Sequence, residues 1–242
     1  MTPIYWIRWG RKLASNYRYG TRITIQPTQN RFVDPRESPG KMVHVWMSKS
    51  RYLGGRQTAD LPLLTPDLDY RFKLVGQIEP ADTIHLRLTY FDADEEELDT
   101  EYFNEAGHFH YPDEARSYKM ELVNLNNQVL KFTGIWLAAS TVFDSFDVTT
   151  EVVNGQPVVR ANSKLKTKAW QTTVIGTSDE TTTMPLLPEL NNLLLGVEPQ
   201  VAVAAVPVDL PKQSTIRTFG RQGIGVQAME RMIQAQQEET TK

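Results

Sequence analysis

A period of two constrains this chain more than any other feature. In TIHLRLTYF (residues 83–91), Ile84, Leu86, Leu88 and Tyr90 fall on one side of an extended backbone, with His85, Arg87 and Thr89 on the other. The same strand-like texture recurs in IYWIRW (4–9), YGTRITIQ (19–26), KMVHVWMS (41–48), YRFKLVGQI (70–78), ELDTEYF (97–103), SYKMELVNL (117–125) and VLKFTGIWLA (129–138). These segments are rich in β-branched and aromatic residues. Turn-forming clusters separate them: QPTQN, DPRESPG, EPAD, NEAG, YPDEA and NLNNQ. No helix-period segment of useful length intervenes. The expected fold class is all-β, an antiparallel jelly-roll-like β-sandwich over residues 1–138.

The texture changes after residue 138. In residues 139–242 the sequence predicts a low-order extension. It would hold one hairpin turning at Asn154-Gly155, a linker, and short amphipathic helices. One helix is expected around Leu186, Leu190, Leu193 and Leu194, with Pro188 near its first turn. A second is expected in GIGVQAMERMIQAQQEE, where Ala228, Met229, Met232 and Ile233 share a face. Both read as partner-docking pieces. The Pro- and Val-rich VEPQVAVAAVPVDLPKQS is not expected to bury much of a core.

The 242 residues contain no cysteine, which excludes disulfides, thiolate zinc sites and cysteine nucleophiles. The start, MTPIYWIRWGRKLAS, lacks the apolar region of a signal peptide, and no apolar run approaches the roughly 18 residues of a membrane span. A cytoplasmic protein is the expectation. The net charge of −3 conceals two blocks. Residues 1–56 carry 11 Lys and Arg against Asp34 and Glu37, while residues 57–121 carry 16 acids against 5 bases. Pairing of the two blocks between neighbouring strands is expected rather than a nucleic-acid surface.

The acidic block is densest in LTYFDADEEELDTEYF (88–103). An EF-hand loop starting at Asp92 would need Gly at its sixth position and Glu at its twelfth; Glu97 and Phe103 stand there. The stretch is therefore expected to be a hairpin loop whose like charges stay hydrated. In GHFHYPDE, the pattern His108, His110, Glu114 resembles the first metal motif of cupins. However, the glycines of that motif are replaced by Tyr102 and Glu121, no His follows His110, and Pro112 ends the strand before Glu114. No catalytic site, cofactor or metal is expected. GRQGIG (220–225) lacks the lysine and spacing of a P-loop, and no strand is expected before it. Trp6, Trp9, Trp46, Tyr17, Tyr19 and Tyr52 are candidates for a stacking platform, although each alone more often fills a core and keeps its polar edge bonded.

Several stretches taken in order carry a resemblance: IYWIRWG, YRYGTRI, SPGKMVHVWMSKSRYLGGRQTADLPLL, YRFKLVGQIEPADTIHLRLTYFD and FHYPDEARSYKMELVN. Together they resemble the third accessory secretory protein family of the bacterial accessory Sec system, over residues 4–137. The resemblance implies a non-enzymatic subunit with a fold similar to carbohydrate-binding modules. It implies two sister accessory secretory proteins and the accessory Sec motor ATPase as partners, in the export of serine-rich-repeat glycoprotein preproteins. It also implies peripheral association with the inner face of the membrane through the complex. Trp46, Arg51, Tyr52 and Arg56 are the expected partner- or glycan-binding residues, as an aromatic platform followed by a basic loop. A stand-alone carbohydrate-binding module is the alternative.

Overall fold

The alternating segments are strands. A computed structural model describes residues 2–10, 20–35, 39–50 and 59–240 of the chain. The strands are β1 (Thr2–Ile7), β2 (Arg22–Ile25), β3 (Asn30–Val33), β4 (Met42–Met47), β5 (Leu68–Glu79), β6 (Ile84–Phe91), β7 (Glu97–Phe103), β8 (Ala106–Tyr111), β9 (Ser117–Asn124) and β10 (Val129–Ala139). The segmentation by turn residues did not mark β3 as a strand and left β8 out of the alternating segments, although the strand expected to end at Pro112 falls on it. Each is short and lies directly after a cluster that reads as a turn. The chain divides into two compact units, one of Ile7–Ser140 with Asp179–Thr181, the other of Met1–Trp6, Thr141–Ser178 and Thr182–Lys242.

The unit of Ile7–Ser140 is an antiparallel sandwich. One sheet runs β8-β5-β10-β3-β2 and the other β4-β9-β6-β7. Between them lies an aromatic core: Phe72 of β5 meets Phe103 of β7 with centroids 5.2 Å apart, and Tyr90 of β6 meets Phe109 and Tyr111 of β8 at 6.2 and 5.9 Å. Ile84, Leu86, Leu88 and Tyr90 are all buried, as the period-two reading requires. Side chains also tie the turns. Asn124 Oδ1 accepts the Asn127 N–H at 2.5 Å, and Asn127 Nδ2 donates to Glu79 O and Thr83 Oγ1 at 3.1 and 3.0 Å. One asparagine pair thus satisfies backbone groups of two loops that pass each other.

Residues 141–240 are not of low order. They form α1 (Thr141–Ser145), β11 (Phe146–Val153), β12 (Gln156–Ser163), β13 (Trp170–Gly176), β14 (Thr181–Leu186), β15 (Asn191–Val197), β16 (Ser214–Gly220) and α2 (Ile224–Thr240). The expected hairpin is β11–β12. Its two turn residues, Asn154 and Gly155, have φ of 53° and 77°, the left-handed pair of a type I′ turn. A mixed sheet of order β11-β12-β15-β13-β16 follows, with β13 parallel to both its neighbours.

The leucine run is the clearest departure from expectation. Leu193 and Leu194 lie in β15, and all seven residues of that strand are buried at the centre of the sheet. A short, wholly apolar run suits a central strand covered on both faces better than an amphipathic helix. Two asparagines fix its start. Asn192 bonds both the N–H and the C=O of Leu187, and Asn191 accepts from Ser163 N and donates to Thr167 O. The helix α2 forms where expected and buries Val226, Met229 and Ile233 against Val158, Val174, Leu193, Leu195 and Val197. Val203, Val206, Val208 and Leu210 pack on the same core, so the Pro- and Val-rich segment covers it rather than linking past it. Among the described residues, no helix is long and apolar enough to cross a membrane.

Candidate interaction surface

Trp46 does not form a platform. It is 1 % exposed, its indole N–H donates to Arg8 O at 2.7 Å, and its ring packs edge-on to His44 at 4.4 Å and tilted on Phe132 at 5.6 Å. The cause is register. Trp46 pairs with Met120 of β9, a core residue, whereas Val45 and Met47 face the opposite side of the sheet. Trp6 and Trp9 are buried as well. Arg51, Tyr52 and Arg56, with Tyr17 and Tyr19, lie outside the described residues.

The acidic stretch is the β6–β7 hairpin. Asp92 Oδ1 accepts the N–H groups of Asp94 and Glu96, each at 2.9 Å, and Asp92 N donates to Glu96 O at 3.0 Å. One carboxylate is thereby committed to closing the turn, and Glu95 takes the left-handed φ of 66°. Lys49, from the basic block, lies 2.7 Å from Glu95. Both side chains are about half exposed, so the pair contributes under about 1 kcal/mol.

His108 and His110 do share a face of β8, but the register sets them opposite Arg71 and Asp69. His110 lies 3.0 Å from Asp69 Oδ1 and 3.5 Å from Asp67 Oδ1. Among the described residues, no three His, Asp or Glu side chains are grouped to hold a metal ion.

The outward face of the β4-β9-β6-β7 sheet carries a polar row. Tyr102, Arg87, Glu121 and Val45 lie side by side across the four strands, and Thr100, Thr89, Lys119 and Met47 form the next row. Arg87 Nε donates to Glu121 Oε2 at 2.8 Å, and Lys119 Nζ reaches the same oxygen at 3.2 Å. The hydrogen bond to Glu121 pushes the Arg87 guanidinium above its ordinary value, against the opposing effect of burial. Tyr102 stands 57 % exposed beside this pair. Arg87, Lys119 and Tyr102 are thus open to offer donors and an aromatic edge to a polar partner, while Glu121, Thr89, Val45 and Met47 are buried. Arg87 was visible in the sequence as the polar side of an alternating strand. Its cross-strand partner Glu121 was not, because register joins residues far apart in sequence.

A profile of the family "Accessory Sec secretory system, accessory secretory protein 3" matches residues 16–139. The chain belongs to that family. The family's accessory secretory protein 3 from Streptococcus gordonii is 30 % identical over 118 residues, covering 48 % of this chain and 74 % of that protein. The fold of the crystallised accessory secretory proteins 1, 2 and 3 of Streptococcus pneumoniae matches with a TM-score of 0.52 at 24 % identity, covering 55 % of this chain and 94 % of the other. The Glycosylation Associate Protein (Gap123) complex of Streptococcus agalactiae matches with a TM-score of 0.54 at 20 % identity, covering 71 % of this chain and 51 % of the other. The match to the family spans the sandwich unit, and most of the β11–β16 unit lies beyond it.

Proposed function

We propose that this chain is a non-catalytic subunit of an accessory Sec export complex. It binds two sister accessory secretory proteins and works with the accessory motor ATPase on serine-rich-repeat glycoprotein preproteins, at the cytoplasmic side of the membrane. Membership of the accessory secretory protein family carries this reading. Support comes from the two solved relatives, one a crystal structure of accessory secretory proteins 1, 2 and 3 and the other a Glycosylation Associate Protein complex. The sandwich fits an interaction role. Most of its described aromatic side chains are committed to the interior, while Tyr102 projects beside the hydrogen-bonded Arg87–Glu121 pair, where a partner can meet it.

The basic stretch containing Arg51, Tyr52 and Arg56 is proposed as a second contact, with Trp46 serving only to pack the core. The test is deletion of the gene in its host, with export of the serine-rich-repeat glycoprotein measured at the cell surface. Intracellular retention of that glycoprotein, relieved by the restored gene, is expected. Undiminished export in the deletion strain would overturn the reading.

A further inference from the structure

An open strand edge in the β11–β16 unit has chemistry of its own. β16 ends the mixed sheet and is hydrogen-bonded along one side only, to β13. In a parallel ladder, alternate residues turn both main-chain groups toward the neighbour. Arg221 N donates to Gly176 O, which sets the phase: Thr215, Arg217 and Phe219 face β13, and Ile216 and Thr218 turn their N–H and C=O groups outward. Gln237 of α2 donates to Ser214 O at 3.3 Å and to Ser214 Oγ at 2.7 Å, closing the edge at its first residue. Beyond that point no described residue pairs with the outward groups.

Several other edges are defended. β7 carries Glu97, Asp99 and Glu101, β11 carries Asp147 and Glu151, β2 has four residues, and the end of β4 is occupied by Asp60 and Leu61, which bond to Met47. Charge and shortness are the usual means of blunting an edge. β16 differs. Residues 212–221 contain Lys212, Arg217 and Arg221 and no acid. All three cations are exposed, and none is in an ion pair among the described residues. Phe219 is 45 % exposed on the same side of the strand as Arg217.

We propose that the edge of β16 docks an extended, acidic segment of another polypeptide, which adds as a further strand to the β11-β12-β15-β13-β16 sheet. Main-chain groups of Ile216 and Thr218 supply the ladder. Arg217, flanked by Lys212 and Arg221, selects acidic side chains, and Phe219 covers an apolar one. This goes beyond the export role and holds whichever protein supplies the segment.

The test uses the full chain, isotope-labelled, titrated with an alternating valine–glutamate octapeptide and with its valine–lysine counterpart. The glutamate peptide is expected to shift the amide signals of Ile216 and Thr218 and to slow their hydrogen exchange. Thr218→Pro removes an outward N–H that the β13 ladder does not use, and should weaken binding at least tenfold. Arg217→Glu, a surface change that leaves the ladder intact, should do the same and keeps the test decisive if the proline variant does not fold. Equal binding of the lysine peptide, or no response to either, would overturn the proposal. So would protection of both amides in the free monomer. Concentration-dependent dimerisation abolished by Arg217→Glu would also overturn it, by assigning the edge to a second copy of the chain.

Discussion

Arg87 and Glu121 face each other directly across the β6–β9 ladder, with Nε 2.8 Å from Oε2. Glu121 is 6 % exposed and serves Lys119 as well, so it is the shared anion of two cations. Glu121→Gln keeps the shape and removes the charge. It is expected to lower stability by about 1–2 kcal/mol, because Arg87 and Lys119 are open enough for water to compensate in part. Urea unfolding midpoints of the two proteins check this, with the slope unchanged.

Trp46 is a core residue with a bonded indole, and its substitutions should separate those roles. Trp46→Ala is expected to cost about 3–5 kcal/mol through the cavity left between His44 and Phe132. Trp46→Phe keeps a ring but removes the indole N–H that donates to Arg8 O, and about 1 kcal/mol is expected. Thermal melting of both variants reads the difference. A melting point unchanged in Trp46→Ala would return this residue to the surface.

Stability should decline at high pH. Burial, with the hydrogen bond to Glu101, pushes the Tyr90 phenol well above its ordinary value, and burial pushes Tyr111 the same way. A group whose folded value is raised contributes stability that is complete below its unfolded value, about 10 for tyrosine, and is lost as pH rises through the folded value. Urea unfolding between pH 8 and 11 should show a falling stability above about pH 10, less steep in Tyr90→Phe.

The β11–β16 unit should depend on α2. Met229→Ala is expected to cost about 2–5 kcal/mol, because its side chain is wholly buried against β13 and β15 residues. Truncation after Gly220 would uncover Val158, Val174, Leu193, Leu195 and Val197 together, and an aggregation-prone product is expected. Dye binding and sedimentation of the truncated chain check it.

The sandwich was legible where its strands bury one face, as β5 and β8 do, because that geometry writes period two into the sequence. TIHLRLTYF reads correctly residue by residue. The β11–β16 unit was not, beyond the Asn154-Gly155 turn and the α2 stripe. β15 is buried on both faces, so NNLLLGV shows no alternation, and its strand identity rests on Asn191 and Asn192 bonding loops that sequence order does not place beside them. The candidate surface was half visible. Alternation gave the outward side of β6 but not the register that sets Glu121 and Tyr102 on either side of Arg87. Trp46 misled for a related reason. Nearly every position of MVHVWM is buried, so composition could not say which side of β4 faced the core.

The most direct test of the central claim is sedimentation analysis of the purified full chain, alone and mixed with its host's two sister accessory secretory proteins. A discrete larger species containing all three at fixed stoichiometry is predicted. Three independently sedimenting proteins, at concentrations well above the micromolar range, would contradict the assignment of this chain as a subunit of the export complex.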